Sequence, residues 1–545
     1  MKKVISSLAS LCLLSISISA CSTPASPQVE GKKEETAPAE TAKGGEKVLR
    51  YTINAEPPTA DPGIATDSNS FDIIYAMFEG LTNYDTKGNL INTAAENYKI
   101  SEDGKTYTFT LRQGMKWNNG DPVTAHDFEY AIKRNLDPKT ASGYAYQLYY
   151  IKGGEEFNTG KGSVDQVGVK AIDEHTLEFQ LKAPTPFFLE LVFFPTLFPL
   201  HKASVEGNPN WANEPKTIVS NGPFNMETWE HKSKITFVKN ETYWDKANVP
   251  LDRIEMTIIE DSNTALSMFE QGETDWAGYP AFTLPGDAIP QYKKDNKLEV
   301  AFNPGSMAVT FNTSKAPFNN AKIRKAFGYA IERQSLIDNV VQVDVPPAYG
   351  WVPTSMGVNP DGYFKEDAAK AKQLLEEGMK EAGLSTFPEV TYYFDNDAIN
   401  LKIAQALQDQ WKKTLGVDVK LKYNEYKVFY ADRKNGNYDF AYYRWGADFN
   451  DPINFLEIFK DKEGGNNIAK WENKEFASLL DKSYNETDNE KRKQLFLQAE
   501  TILMEEMPIA PIHFRGNPFV KTDKVKGFVI YPLGGSYFKF TDIVK

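Results

Sequence analysis

Cysteine is almost missing from this chain: of 545 residues only Cys12 and Cys21 carry a thiol. Cys12 sits inside "VISSLASLCLLSISISA", an apolar run behind Lys2 and Lys3 that is too short and too rich in Ser to read as a spanning helix. It reads as a removable signal, so Cys21 is the single thiol left, and a disulfide within one mature chain is excluded. Histidine is scarce too. His126, His175, His201, His231 and His513 stand far apart, and no pair has the spacing of a helical zinc site. There is no Walker A loop, no G-x-G-x-x-G and no G-x-S-x-G. "DFNDP" lacks the ligand register of an EF-hand, and 74 acidic residues offer carboxylate pairs too freely for any one pair to indicate glycosidase chemistry. Long apolar runs are absent beyond the leader; "PTPFFLELVFFPTLFPLH" is broken by prolines and Glu190. No repeat of short period occurs. Excess positive charge is missing as well. The net charge is −13, or about −15 once Lys2 and Lys3 leave with the signal. That argues against nucleic acid and biases the chain mildly toward cationic ligands, although solubility is the commoner reason for such charge. These absences describe a binder without metal or cofactor rather than an enzyme.

What is present begins with small residues, Ile18-Ser19-Ala20, ahead of Cys21. They resemble the lipobox of bacterial lipoproteins, in which the Cys becomes lipid-modified (palmitate) after cleavage; an ordinary secretory signal before a chance Cys is the alternative. Residues 22–47, "STPASPQVEGKKEETAPAETAKGGEK", hold almost nothing apolar, so they are expected to stay disordered. As a flexible coil they would extend roughly 30 Å, a tether between a membrane face and a soluble body. Ser22-Thr23 and the tether length suit the outer, extracytoplasmic face of a Gram-positive cell membrane. The body from about Val48 onward is long enough for two or three lobes.

Local patterns fill in that body. "NYKISEDGKTYTFTLRQGMKWNNGDPVTAHDFEYAIKR" (97–134) reads as a hairpin turning at Asp103-Gly104, then a helix capped by Thr124. "PEVTYYFD" (388–395), "VDVKLKY" (417–423) and "YDFAYYRW" (438–445) read as strands. Helical patterns, "AINLKIAQALQDQWKKTLG" and "EYKVFYADRKNG", lie between them. Alternation of this kind builds a parallel sheet with crossover helices, and such sheets bind ligands beyond the carboxyl ends of their strands. Asp448 lies there, just past the third strand in "FAYYRWGADFNDPINFLEIF". A turn residue bonded to nearby backbone N–H groups is the alternative role for it. Aromatic residues make up 13% of the chain, and the clusters "SGYAYQLYY" (142–150) and "PPAYGWVP" (346–353) sit in turns where rings can wall a pocket.

The motifs "EPPTADP", "KWNNGDPVTAHDFEYAIKR", "SNGPF", "NETYWDKA", "APFNNAKIRKAFGYAIERQ" and "WGADFNDP" together resemble the oligopeptide-binding lipoproteins of peptide ABC importers, within solute-binding protein family 5. The resemblance covers essentially all of 48–545. It implies an α/β, two-lobed fold of the type II periplasmic-binding-protein kind, with hinge crossovers and an extra α+β domain on the first lobe. Lobe I would comprise 48–78, 211–308 and 515–545, the inserted domain 79–210, and lobe III 309–514. It implies a monomer that takes short peptides and passes them to ABC transporter permease subunits, held to the membrane by lipid on Cys21.

Residue by residue, Asp448 matches the Asp that pairs with the peptide's α-ammonium. Gly446 and Ala447 match the stretch whose backbone lines up with the peptide, and Trp445 and Tyr144 match aromatic positions near its first residues. Ser68 falls, loosely, near the lobe I segment facing a central ligand residue. Tyr442 stands where a studied member has an Arg near the ligand carboxylate. Arg444, two residues along, is either that anchor or half of a salt bridge within lobe III. His513 and Phe514 are pocket candidates near the second crossover. The same family hosts dipeptides, nickel chelates, sugars and signalling peptides, so the ligand stays open at this point. A secreted hydrolase or an adhesin would need features these residues do not supply.

Overall fold

A computed structural model describes residues 45–531 and 534–544. The expected leader, Cys21 and nearly all of the expected tether lie outside the described residues.

The chain starts in a four-stranded sheet. Val48–Ile53 runs parallel to Arg253–Ile258, which pairs antiparallel with Lys234–Lys239, and that strand with Phe224–Glu230. The first strand therefore closes against one about two hundred residues later. Within the interval the chain builds a second sheet of four antiparallel strands: Ala95–Ile100, Thr106–Leu111, Thr176–Gln180 and Val169–Asp173. Its hairpin and following helix are those expected from 97–134. Helix Ala125–Leu136 opens on Thr124, whose backbone N–H donates to the Asp127 carboxylate at 2.8 Å.

The third sheet has the order Val419–Asn424, Val390–Asp395, Phe440–Gly446, Gly305–Phe311, Ile509–Phe514. Its first three members are parallel, as the alternation of strand and helix requires. Helix Ala398–Leu415 supplies one crossover and ends on Gly416 at φ 70°, a left-handed cap that glycine adopts without strain. Gly305–Phe311 and Ile509–Phe514 join antiparallel.

The chain passes between the first and third sheets twice. Strand Glu299–Ala301 pairs with Asn517–Lys521, and four residues beyond Ala301, Gly305 opens a strand of the third sheet. The first crossing is thus 302–304, ahead of the boundary expected at 308–309. That boundary would cut a strand whose seven residues, from Gly305 on, pair with Gly446 back to Phe440. The two crossings lie side by side. The Arg515 N–H donates to the Gly305 carbonyl at 2.8 Å, and the Asn517 amide to Asn303 at 2.8 Å. Two adjacent crossings of this kind are where a hinge would lie in a two-lobed fold.

Strand Phe440–Gly446 links the core of the third sheet to the cleft beside it. Its first residue is clamped by rings: Phe440 lies 4.8 Å from Phe318, 5.2 Å from Tyr392 and 5.2 Å from Trp411, centroid to centroid. Aromatic pairs of this geometry add about 0.5–1.5 kcal/mol each beyond the area they bury. The strand is fixed at its start and delivers its end into the space between the lobes.

Candidate functional site

Along its whole length Phe440–Gly446 is paired on one side, by Gly305–Phe311. On the other side Val390–Asp395 pairs only with Phe440 and Ala441. From Tyr442 to Gly446 that second edge is open. The Tyr442 carbonyl accepts from the Arg433 guanidinium at 2.9 Å. The rest of the edge borders a cavity of about 700 Å³ lined by Tyr442, Arg444, Trp445, Gly446, Asp448 and His513. Six of the expected site residues are therefore brought to one cleft.

Gly446 is exposed, and nothing within the protein demands glycine there. Its φ is not positive, and an added Cβ would lie 3.5 Å from Arg515, an ordinary contact. The need for a bare backbone arises on the cleft side. Ala447 is half-buried and its N–H donates to the Pro304 carbonyl at 2.9 Å, tying the loop to the first crossing.

Asp448 is held by its neighbours rather than by its own carboxylate. Asn454, only 2% exposed, accepts from Trp445 Nε1 at 2.9 Å and from the Asp448 N–H at 3.2 Å. Asp451 takes the turn-capping part, accepting from the Ile453 N–H at 2.9 Å, and pairs with buried Arg492, whose Nη2 lies 2.9 Å away. Among the described residues no backbone N–H and no cation bonds the Asp448 carboxylate; the Asn454 side chain is its one polar partner. Partial burial raises its pKa above the ordinary Asp value, with Asn454 working the other way. Asp448 is a half-buried charge without a counter-ion.

Rings surround it. Phe449 stacks on Phe187 at 4.5 Å, and Phe187 in turn meets Tyr150, the last residue of the short 3-10 helix Ala145–Tyr150, at 5.2 Å. Tyr144 packs on Phe194 at 4.8 Å, and Tyr144, Tyr146 and Tyr150 all have hydroxyl pKa values raised first by burial and further by the Asp448 charge.

The far end of the cleft is positive. Arg444 lies on the strand face with its guanidinium 5.4 Å from the Tyr426 ring, and no salt bridge holds it among the described residues. The Arg515 guanidinium donates to the Asn517 side chain at 3.3 Å. Arg433 is buried among Phe429, Tyr430 and Tyr443, and its Nε has no hydrogen-bond partner among the described residues. Burial lowers the Arg433 pKa, so an anion beside it would be welcome.

The remaining expected residues divide. Tyr442 is buried and its hydroxyl reaches Met307 Sδ at 3.1 Å. His513 lines the cavity, its Nδ1 2.8 Å from the Phe514 carbonyl, and burial lowers its pKa so that it is neutral. Phe514, the next residue on the strand, faces away and lines neither cleft cavity. Ser68 is exposed at the start of helix Ser68–Met77 and lines neither. Asn454, Arg433 and Arg515 were not anticipated. Asn454 stands six residues past Asp448, in the short helix Ile453–Leu456, whereas the two arginines come from other segments and left no local signal.

With this geometry in view, the chain belongs to the bacterial extracellular solute-binding proteins, family 5: the pattern of the family's middle region matches residues 89–467. It has the two-lobed α/β fold of that family. Among relatives, it is 46% identical to the oligopeptide-binding protein OppA of Bacillus subtilis over 518 residues, 94% of each chain. Among solved structures, it superposes on the unliganded open form of the periplasmic murein tripeptide-binding protein MppA with a TM-score of 0.82, at 31% identity and covering 92% of this chain and 98% of that one. Against Haemophilus influenzae OppA in complex with RPPGFSPFR the TM-score is 0.71, at 30% identity, covering 92% and 99%.

Proposed function

We infer that the protein captures short oligopeptides between two closing lobes and hands them to the permease of an ABC transporter. One observation carries this: an unpaired strand edge, Tyr442–Gly446, runs straight into a carboxylate that lacks a cation. A peptide laid along that edge would be recognised through its main chain, which every peptide has, while the carboxylate reads its α-ammonium. The positive pair of Arg433 and Arg444 suits the opposite terminus. From Asp448 back to Arg444 is roughly 13 Å of extended chain, which fits ligands of about three to five residues. The oligopeptide-binding name of the Bacillus subtilis relative and the complex of Haemophilus influenzae OppA with RPPGFSPFR agree with this.

Lobe I would comprise 48–78, 211–304 and 515–545, the inserted domain 79–210, and lobe III 305–514, closing about the two crossings. Lipid on Cys21 would hold the protein, as a monomer, at the outer face of the cell membrane, and it would act by binding, leaving a peptide mixture uncut. Calorimetry with tri-alanine and its N-acetyl derivative tests the assignment of Asp448: the free peptide should bind and the acetylated one should not. Equal affinity would overturn it. A dipeptide is the second reading, favoured by Arg515, whose guanidinium lies beside Gly446 and so near the carboxylate that fixes the other end. Affinity that peaks at two residues in a poly-alanine series would select it.

A further inference from the structure

The two crossings have a front and a back. In front lies the cleft, with cavities of about 620 and 700 Å³ that meet at Asp448, and with the exposed Gly446 that a bound peptide has to cover. Beside the second crossing, residues 344–348 run antiparallel to strand Ile509–Phe514. The Phe514 N–H donates to the Pro346 carbonyl and the Ala348 N–H to the Ile512 carbonyl, each at 3.0 Å, with Pro347 bridged to His513. Carried on past Pro346, this register sets Val345 and Asp344 beside the crossing at Arg515 and Gly516.

Gly516 shows that this segment stands behind. It lines the strand-edge cavity, yet a Cβ built on it would lie 2.5 Å from Val345 Cγ1 and 2.8 Å from Val300 Cγ1. Neither valine lines a cleft cavity, and nor does Asp344. An ion pair ties off this packing. Lys293, on helix Ile289–Lys294 just ahead of strand Glu299–Ala301, places its ammonium 2.6 Å from the Asp344 carboxylate. By the lobe boundaries given above, Lys293 belongs to lobe I and Asp344 to lobe III. Every other ion pair among the described residues stays within lobe III, or within lobe I and its inserted domain.

We propose that the Lys293–Asp344 pair is a strap behind the hinge, which favours the open cleft and so lowers the affinity for peptide. This rests on the reading of two lobes that close on their ligand. A rotation that brings the lobes together over Gly446 draws the groups behind the crossings apart. The pair is made at 2.6 Å and parts as the ammonium leaves the carboxylate, so its energy belongs to the open state. The peptide has to make up that difference, and its apparent affinity falls by the same factor. Both side chains are well exposed, 43% and 69%, which keeps the factor modest, up to about fivefold.

The test is calorimetry of the ligand-stripped protein with tri-alanine, beside small-angle X-ray scattering with and without the peptide. Asp344→Asn should bind about two to five times more tightly than the unsubstituted protein. The converse is to fasten the strap. The body from Val48 onward holds no thiol, so Lys293→Cys and Asp344→Cys, in a Cys21→Ser background, can be joined by a short bismaleimide. The joined protein should bind at least about a hundredfold more weakly than the same protein before joining, because its closed state is barred. Unchanged or weaker binding by Asp344→Asn overturns the proposal, and so does full affinity in the joined protein. Should tri-alanine leave the radius of gyration of the unsubstituted protein unchanged, the closing of the lobes fails instead, and the two failures are told apart.

Discussion

Asp448→Asn is the sharpest perturbation available, because it keeps shape and hydrogen bonding while removing one charge. In the open cleft the carboxylate is half-buried, has Asn454 as its polar partner and meets no cation among the described residues. On closure around a peptide it would lose the remaining water and gain the α-ammonium. With Asn in place, the ammonium is enclosed without a counter-charge. Breaking a buried pair by removing one member typically costs about 3–5 kcal/mol, which raises Kd between about a hundred and several thousand fold. The folded protein itself should not suffer. Burial raises the Asp448 pKa, so the native state disfavours the charged form, and the neutral amide removes that penalty at neutral pH. Calorimetry with tri-alanine, beside a thermal melt of each protein, reads both quantities. The expected outcome is binding lost or nearly so, with Tm unchanged or higher. Affinity should also fall as pH drops through the raised Asp448 pKa, since protonation does what the substitution does. A variant that binds within threefold of the parent would refute the pairing, and a variant that loses Tm in step with affinity would make Asp448 a structural residue.

Three further outcomes are expected. Asn454→Ala leaves Trp445 Nε1 and the Asp448 N–H without their shared acceptor; it should lower stability by about 1–3 kcal/mol in urea and weaken peptide binding, and an unchanged midpoint would show that water replaces the amide. Arg492→Met strands Asp451 in a site where both side chains are under 10% exposed; a loss of about 3–5 kcal/mol is expected in the same assay. Burial pushes the carboxyls of Asp72, Glu190 and Glu500 up to about 7. The native state then holds protons that the unfolded chain has released, so stability should fall as pH rises from the ordinary carboxyl range to about 7. Tm should be higher at pH 5.5 than at pH 8, and Glu500→Gln should flatten the slope; a Tm that climbs across this range contradicts the sign.

What the sequence made legible was whatever short-range order decides. Helix Ala398–Leu415 between two parallel strands follows from spacing, a capping Asp397 and Gly416, all within one stretch. Asp448 could be placed in a cleft because a strand end is a position along the chain. The open edge from Tyr442 to Gly446 could not, because it depends on where Val390–Asp395 stops pairing, about fifty residues earlier. The start of the strand at Gly305, ahead of the expected boundary at 308–309, was hidden for the same reason: Gly305 belongs to the third sheet only by virtue of Gly446, far along the chain. His513 and Phe514 show how fine the limit is. Adjacent on one strand, they point to opposite faces, and only the sheet's packing decides which one meets the cleft. The charges were the hardest to read. Arg444 read equally as half of a salt bridge or as an anchor, and in the fold it lies over Tyr426 with no ion pair among the described residues. Arg433 and Arg515 come from a helix and from a link between two strands, segments that share no pattern. They become one site only when distant strands and helices fix their positions, so a site made of long-range neighbours is legible only in the assembled fold. Its chemistry then follows from which charges that fold leaves without partners.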